Sequence, residues 1–276
     1  MSKVRCNLCP HNCNLGEGQI GICRARSNSK GKIYPINYGK ITGFALDPIE
    51  KKPLKRFYPG KNILSVGSFA CNLSCDFCQN HNISMASIND IIVKELEPEE
   101  LVEMALKLKD RDNIGLAYTY NEPLIGYEYV RDCAKLAKEN GLKNVLVTNG
   151  CFHIEAVKEI FSYIDAFNID LKGFTNEFYN KIRGDLETVK RFIEYASRQG
   201  HVEITTLVIE GENDKEEEIM ELSQFLSSIN PDIPLHISRF FPNYKMSDKN
   251  PTKVKTIYDL ASIARENLRY VYEGNC

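Results

Sequence analysis

The stretch Cys71-Asn-Leu-Ser-Cys75-Asp-Phe-Cys78 determines how the rest of the chain is interpreted. Its C-x3-C-x2-C spacing lets one loop present three thiolates to one face of an iron–sulfur cube, and soft thiolates suit such clusters. A complete cube takes four ligands, and this loop contains no fourth cysteine. The pattern therefore predicts a [4Fe–4S] cluster with one iron open to another molecule, much as catalytic zinc sites keep an open position.

Two other interpretations of this loop stay open at the level of the residues. A zinc ion could bind the three cysteines with His81 as its fourth ligand, although zinc sites more often use paired C-x2-C motifs. The thiols could also be small buried core groups. A non-catalytic iron–sulfur or zinc protein is thus one functional alternative.

Outward from this loop, residues 61–276 alternate apolar strand-like stretches with helical patterns in which apolar residues recur three and four positions apart. Such alternation predicts a parallel sheet. Short strands and short loops favour an α/β fold with a partial (β/α)6 barrel over a doubly wound sheet. The predicted strands are 62–69, 114–118, 144–148, 166–171, 202–209 and 235–240, with 269–274 as a further candidate, and the predicted helices are 97–109, 123–140, 153–164, 186–199, 214–229 and 252–267.

Polar residues follow or end all six predicted strands. The carboxyl ends of parallel strands meet at one edge of a sheet, where active sites of such folds gather. Strand ends are often polar simply because they meet solvent, but six together favour one shared site beside the cysteine loop. The residues concerned include Tyr120, Glu122, Asn149, Asp170, Lys172, His236 and Arg239.

Residues 1–60 are predicted to be a separate, loop-rich segment that gains order from a metal. It contains Cys6, Cys9, Cys13 and Cys23 on a polar, glycine-rich background. The quartet could hold a second iron–sulfur cluster or a structural zinc ion, or remain free thiols. Iron–sulfur is favoured because the chain already needs conditions that load clusters. The predicted domains are this metal-binding segment, 1–60, and the barrel, 61–276.

Composition limits the partners and the compartment. The formal net charge of −2 gives no basic excess that would indicate nucleic acid as a partner. No apolar run is long enough for a membrane helix, and the first ten residues lack the apolar core of a signal peptide. We therefore expect a cytoplasmic protein, in which clustered cysteines bind metal rather than form disulfides. Cys133 is expected in the core of a helix, whereas the roles of Cys151 and Cys276 stay open.

The cysteine loop resembles the motif of the radical S-adenosylmethionine (SAM) superfamily. The resemblance implies a partial (β/α)6 barrel and a [4Fe–4S] cluster whose open iron chelates SAM. It also implies reductive cleavage of SAM to methionine and a 5′-deoxyadenosyl radical, which abstracts hydrogen from a substrate. Such chemistry needs an electron donor of ferredoxin or flavodoxin type.

A string of segments is similar to one subfamily in particular, the radical SAM member of the AmmeMemoRadiSam set, which is itself similar to pyruvate formate-lyase activating enzymes. This likeness makes AMMECR-type and Memo-type proteins candidate partners, and a glycyl radical enzyme activase is the alternative function. The absence of further cysteines between Cys78 and Cys133 weakens an activase role, because some activases place additional clusters there. The segments are FACNLSCDFCQNHNIS, LDPIEKKPL, YTYNEP, NVLVTNG, NIDLK, ITTLVIEGEND and HISRFFPNYKMSD.

The resemblance also implies residue roles. Phe77 matches an aromatic position near the adenine of SAM. Glu122 matches the acid that receives the methionine amino group, although Tyr120 and Asn121 replace the glycines that precede it in relatives. Further positions that match the SAM pocket are Asn149, Asp170, Lys172 and His236. Candidate substrate contacts are Tyr120, Arg239 and Lys245, and the substrate itself is not indicated.

Overall fold

The computed structural model describes residues 3–276. Short strands dominate the first part of the chain, and strands alternate with helices after it. The first part contains β1 (Val4–Arg5), β2 (Asn14–Leu15), β3 (Arg26–Ser29), β4 (Lys32–Pro35), β5 (Lys40–Ile41) and β6 (Gly43–Pro48). The remainder contains β7 (Asn62–Gly67), α1 (His81–Ser84), β8 (Lys94–Glu95), α2 (Pro98–Lys107), β9 (Asn113–Tyr118), α3 (Tyr127–Glu139), β10 (Lys143–Thr148), α4 (Ile154–Phe161), β11 (Ala166–Asp170), α5 (Asn176–Lys181), α6 (Leu186–Ala196), β12 (His201–Val208), α7 (Glu216–Ile229), β13 (Leu235–Arg239), α8 (Val254–Ala264) and β14 (Val271–Gly274).

One eight-stranded sheet organises the molecule, in the order β14-β13-β12-β11-β10-β9-β7-β6. Strands β7 and β9 to β14 are parallel to their neighbours, and β6 is added antiparallel to β7. The two ends of the order, β6 and β14, do not pair, so the sheet is a partial barrel rather than a closed one. The prediction of a partial barrel is confirmed, and all seven stretches expected to be strands contain one.

Local signals explain where the helices begin. Pro98 occupies the first turn of α2, and Glu97 and Glu100 form a reciprocal capping box there. The Asp185 side chain accepts a hydrogen bond from the backbone N of Thr188 and caps α6. The sequence pattern missed α5, which is only six residues long and too short to show periodicity.

The sheet has an apolar core on each face. Helices cover the outer face, where Leu116, Leu146 and Ile204 are fully buried. The inner face carries a smaller cluster that includes Ala117, Val145 and Ala166, which lie in register on neighbouring strands. Because side chains alternate between the two faces of a strand, these two sets define the outside and the inside of the barrel.

Residues 49–60, here termed the floor segment, contribute to the inner cluster. Ile49 and Leu54 are fully buried in it. The segment also makes polar contacts: Asn168 on β11 donates from Nδ2 to the carbonyl of Pro53 at 2.9 Å, and Glu203 on β12 accepts from the backbone N of Lys55 and Arg56. The floor segment therefore connects the start of β7 with strands on the other side of the barrel.

The sheet also includes residues that the sequence pattern assigned elsewhere. Strand β6 lies within the predicted segment 1–60, and its six residues pair with β7 throughout. The edge of the sheet therefore does not coincide with a boundary at residue 60. Among residues 3–276, no helix combines the length and the apolar character that crossing a membrane requires.

Candidate functional site

The cysteine loop follows the carboxyl end of β7 and leads into α1. Its start is tied down by the backbone N of Ala70, which donates to the carbonyl of Ile83 at 2.8 Å, and its middle by the backbone N of Ser74, which donates to Ile182. Ala70 adopts a positive φ of 72°. Cys75 is buried, whereas Cys71 and Cys78 are half-buried.

The pKa values of Cys71 and Cys75 reflect burial and the charges of neighbouring groups. Burial raises the pKa of Cys71 far above its usual range, and the charges of Glu122, Cys75 and Cys78 raise it further. Burial likewise raises the pKa of Cys75 to about 12, although the Lys172 ammonium opposes this. Without a metal Cys71 and Cys75 remain neutral thiols, so a positively charged centre is needed to hold them as thiolates.

Two donors point at the Cys71 sulfur. The backbone N of Leu73 lies 3.3 Å from Cys71 Sγ, and the Asn149 side-chain Nδ2 lies 3.6 Å from it. Asn149 Nδ2 also donates to Asn72 Oδ1 at 2.9 Å, and Asn72 in turn donates to the Cys151 carbonyl. Hydrogen bonds to ligating sulfur stabilise thiolate and influence the potential of a cluster. The predicted residue Asn149 is therefore brought to the cysteine loop.

Asn121 holds the cysteine loop against the end of β9. Its Oδ1 accepts from the backbone N of Ser68, and its Nδ2 donates to the carbonyls of Phe69 and Ala70. From the sequence, Asn121 was notable only because it replaces a glycine that relatives have. Its hydrogen-bond partners lie about 50 positions away in the chain, so no local sequence pattern could predict them.

Glu122 is nearly fully buried, and the protein itself uses both of its oxygens. Oε1 accepts from Thr148 Oγ1 at 2.8 Å and from the backbone N of Leu124, and Oε2 accepts from the backbone N of Asn149 at 2.8 Å. Burial raises its pKa to about 7, against these hydrogen bonds. The structure thus shows Glu122 as a link between the loops after β9 and β10. Its contact with a methionine amino group stays a prediction.

Asp170 and Lys172 form an ion pair at the end of β11. Lys172 Nζ lies 3.0 Å from Asp170 Oδ2, and both side chains are partly exposed. Burial lowers the pKa of Lys172, but the charge and the hydrogen bond of Asp170 contribute the other way, and the pKa is raised overall. A lysine that stays charged beside the cysteine loop can help to bind an anionic group such as a carboxylate.

Two other predicted SAM contacts, Phe77 and His236, already contact other side chains of the protein. Phe77 is buried and stacks on Phe178 at a centroid distance of 6.0 Å. His236 is in register with Thr205 and through it with Asp170, but its Nε2 lies 2.6 Å from Glu203 Oε2. Their contacts with SAM stay predictions. Glu203 had no signal in the sequence beyond its place in a strand.

The candidate substrate contacts do not converge. Tyr120, at a positive φ of 70°, turns into the barrel, where its hydroxyl donates to Asp47 Oδ2 at 2.8 Å. A side chain at Gly67 would lie 2.8 Å from the Tyr120 ring, so glycine is required there. Arg239 stacks over Phe241, and Lys245 pairs with Asp76 on the surface. Only Tyr120 lies on the inner side of the barrel.

The four N-terminal cysteines line one small enclosed cavity. The other residues around it include Leu8, His11 and Ile125, and burial raises the pKa of Cys9 to about 12. The cavity abuts the loop after β10, since the backbone N of His153 donates to the Leu8 carbonyl. The lining cysteines are Cys6, Cys9, Cys13 and Cys23.

Within residues 3–276, no three His, Cys, Asp or Glu side chains are grouped as ligands of a single metal ion. His81 stacks on Tyr244 at 4.5 Å and is not grouped with the cysteines of the loop as a ligand of one zinc ion. The donor set of the loop fits a cluster: three thiols, one charged lysine beside them and two N–H groups directed at one sulfur.

Comparison with known proteins adds the family to this geometry. The profile of the Radical SAM superfamily matches residues 66–223, more than half of the chain. The chain belongs to the radical SAM superfamily. This radical SAM protein is 40% identical, over 99% of its length and 82% of the relative, to an uncharacterized protein of Methanocaldococcus jannaschii. It is also 32% identical, over 45% of its length and 52% of the relative, to the pyruvate formate-lyase-activating enzyme of Clostridium pasteurianum.

Solved structures support the same fold. The Streptococcus suis protein SuiB bound to S-adenosylmethionine is similar with a TM-score of 0.59 at 14% identity, covering 75% of this chain and 48% of SuiB. QueE from Escherichia coli is similar with a TM-score of 0.54 at 15% identity, covering 85% and 92%. At this identity the likeness concerns the fold alone. Membership of the superfamily implies a [4Fe–4S] cluster and SAM.

Proposed function

We propose that this chain reductively cleaves SAM at a [4Fe–4S] cluster held by Cys71, Cys75 and Cys78. The 5′-deoxyadenosyl radical formed from SAM would then abstract hydrogen from a substrate that is still to be identified. The observation that carries the proposal is the three-thiol loop at the carboxyl end of β7, which has two N–H donors on the Cys71 sulfur and a lysine beside Cys75.

The chain's own residues have distinct tasks in this proposal. Lys172, held by Asp170, supplies a fixed positive charge for the carboxylate of SAM. Asn149 positions the Cys71 sulfur, and Phe77 offers an apolar surface for the adenine. Glu122 positions Asn149 by accepting a hydrogen bond from its backbone N.

The test is to reconstitute the protein without oxygen, add SAM and dithionite, and measure 5′-deoxyadenosine by mass spectrometry. Wild type should form the product, and Cys75→Ala should lose it because the cluster loses a ligand. Cys133→Ala is the matched control, since Cys133 is fully buried in α3 and belongs neither to the cysteine loop nor to the lining of the N-terminal cavity. A properly loaded wild type that forms no 5′-deoxyadenosine would contradict the proposal.

A glycyl radical enzyme activase is the second candidate. The 32% identity to a pyruvate formate-lyase-activating enzyme favours it, although the match covers under half of this chain. A neighbouring gene for a glycyl radical enzyme would support activation of a protein substrate. Neighbouring genes for AMMECR-type and Memo-type proteins would support the subfamily role, with those proteins as partners.

The proposal also covers the cellular compartment, the electron donor and the N-terminal cysteine quartet. We propose a cytoplasmic location, because none of the ten cysteines forms a disulfide and a reducing compartment keeps thiols available for cluster binding. The electron for SAM cleavage would come from a ferredoxin or flavodoxin. The N-terminal quartet is proposed to hold a second iron–sulfur cluster in its enclosed cavity.

A further inference from the structure

The N-terminal cysteine cavity lies between the protein surface and the cysteine loop. On its outer side a surface groove of about 530 Å³ shares three lining residues with the cavity, namely His11, Cys13 and Gly21. Cys13 is half-buried, whereas Cys6, Cys9 and Cys23 are buried. Cys13 is therefore the quartet member that connects the cavity with the surface.

On its inner side the cavity is bonded directly to the loop that carries Cys71. His11 Nε2 lies 2.7 Å from the carbonyl oxygen of Asn72, the residue after Cys71. Arg24, which follows Cys23, donates from its guanidinium to the Cys71 carbonyl at 3.2 Å and to the Ser84 carbonyl at 2.9 Å. These contacts join two cysteine sites that lie far apart in the sequence.

The surface around the groove suits an acidic protein. Ile20 and Ile22 line the groove and are 49% and 45% exposed. Residues 1–60 contain eleven Lys and Arg but three Asp and Glu, a net +8, whereas residues 61–276 carry a net −10. Charge is thus strongly divided along the chain, although the total is only −2.

Three of these positive charges lie close to the groove. Arg5 pairs in a strand with Asn14, which lines the groove, and Lys30 and Lys32 flank the tip of the hairpin whose strand β3 bridges Ile20. These three cations are exposed, and in the described chain, residues 3–276, none forms a side-chain ion pair, although the Glu17 carboxylate accepts from the backbone N of Lys30. An apolar centre with a positive rim favours docking of a negatively charged partner.

We propose that the N-terminal cysteine site is the electron-input site of this protein. A small acidic one-electron donor protein docks on the groove at Ile20 and Ile22, and its electron passes through the quartet to the cluster at Cys71, Cys75 and Cys78. The donor is oxidised by one electron and that cluster is reduced by one, with no bond or proton transferred. The proposal rests on the proposed function for the inner cluster and assigns the quartet a role beyond metal binding.

The first test compares wild type with the Cys9→Ser/Cys13→Ser double variant after anaerobic reconstitution. The variant should lose about four irons per chain and keep the inner cluster. Reduction of the inner cluster, followed by electron paramagnetic resonance without SAM, should slow at least about ten-fold when reduced flavodoxin is the donor. With dithionite, a small reductant that needs no docking site, the two proteins should behave alike.

The outcomes separate the two proposals. Unchanged iron content in the variant, or iron loss with an unchanged flavodoxin rate, overturns the electron-input proposal. A wild type whose inner cluster is reduced through the quartet but does not cleave SAM contradicts the proposed function alone.

A second pair of variants leaves all cysteines in place. Ile20→Glu/Ile22→Glu puts negative charge into the groove and should slow flavodoxin-driven reduction by about ten-fold at low salt, with less difference at high salt. Ile92→Glu is the matched control, because Ile92 is 92% exposed and lies outside the groove. Equal rates for the two variants would place donor docking elsewhere and overturn the proposal even if the double cysteine variant does not fold.

Discussion

Glu203 is a single buried carboxylate that joins three parts of the barrel. Oε1 accepts from the backbone N of Arg56 at 2.7 Å and lies 2.9 Å from His201 Nε2, while Oε2 accepts from the backbone N of Lys55 and lies 2.6 Å from His236 Nε2. Burial raises its pKa, but these four hydrogen bonds outweigh burial and lower the pKa to about 2. The charged form of Glu203 is therefore the one that the fold requires.

This lowered pKa predicts an acid-dependent loss of stability. An unfolded glutamate has a pKa of about 4.3, so the stabilisation from Glu203 is complete above that pH and disappears as the pH falls towards 2. Glu203→Gln should lower the free energy of unfolding by roughly 2–3 kcal/mol at pH 7. The difference from wild type should become smaller between pH 4.5 and 3, because Glu203 of wild type is then losing its charge.

Urea unfolding followed by circular dichroism measures this, since the chain contains no Trp for fluorescence. Both proteins are measured without iron, so that acid loss of a cluster affects neither. Glu103→Gln is the control, because Glu103 forms only an exposed pair with Lys107. A deficit in Glu203→Gln that stays constant from pH 7 to pH 3 would show that Glu203 is not held in its charged form.

At the scale of elements, the floor segment (residues 49–60) fills the inside of the barrel. Its buried side chains Ile49 and Leu54 meet Ala117, Val145 and Ala166 from three strands. The strand side chains here are small or β-branched, so the sheet alone leaves space that the floor segment occupies. A partial barrel with this lining depends on the segment for its inner core.

Leu54→Ala should therefore lower the free energy of unfolding by about 2–5 kcal/mol, because the lost methyl groups leave a cavity between strand and floor. The neighbouring Lys55→Ala is the matched control: its side chain is exposed and its backbone N still binds Glu203. Thermal unfolding of both variants measures the difference. Similar melting temperatures for the two would show that the floor segment is not part of the cooperative core.

At the scale of the whole molecule, two cysteine sites can bind metal only when their thiols are ionised. Burial raises the pKa of Cys9 and Cys75 to about 12, and the N-terminal part contains only two-stranded sheets besides β6. Small sheets of this kind bury little apolar surface and gain order from metal binding or from packing on a larger core.

Anaerobic loading with iron and sulfide should therefore raise the melting temperature of wild type by several degrees, since ligands that bind only the folded state stabilise it. Cys75→Ala should gain less, and Cys133→Ala should gain as much as wild type. Calorimetry before and after loading measures the gain. No change in wild type, with iron demonstrably bound, would show that the apo protein already has both sites in their final form.

Much of the fold followed from local patterns. Strands such as Lys143–Thr148 and helices such as Leu186–Ala196 lie within a few residues of their predicted bounds, because periodicity reports which face of an element is buried. Strand β6 was not predicted because it is an edge strand without a following helix. The structural roles of Asn121 and Glu203 were not predicted because their hydrogen-bond partners lie far away in the chain.

The sequence by itself determined the cluster loop, the alternation of strands and helices, and the superfamily, because spacing and periodicity are properties of neighbouring residues. Only the tertiary structure decided that Glu122 is bonded within the protein, that His236 is held by Glu203, and that Arg24 contacts the carbonyl of Cys71. Each of these depends on contacts between residues more than twenty positions apart. Such contacts arise when a folded chain must satisfy every buried polar group, and no local pattern encodes which partner does so.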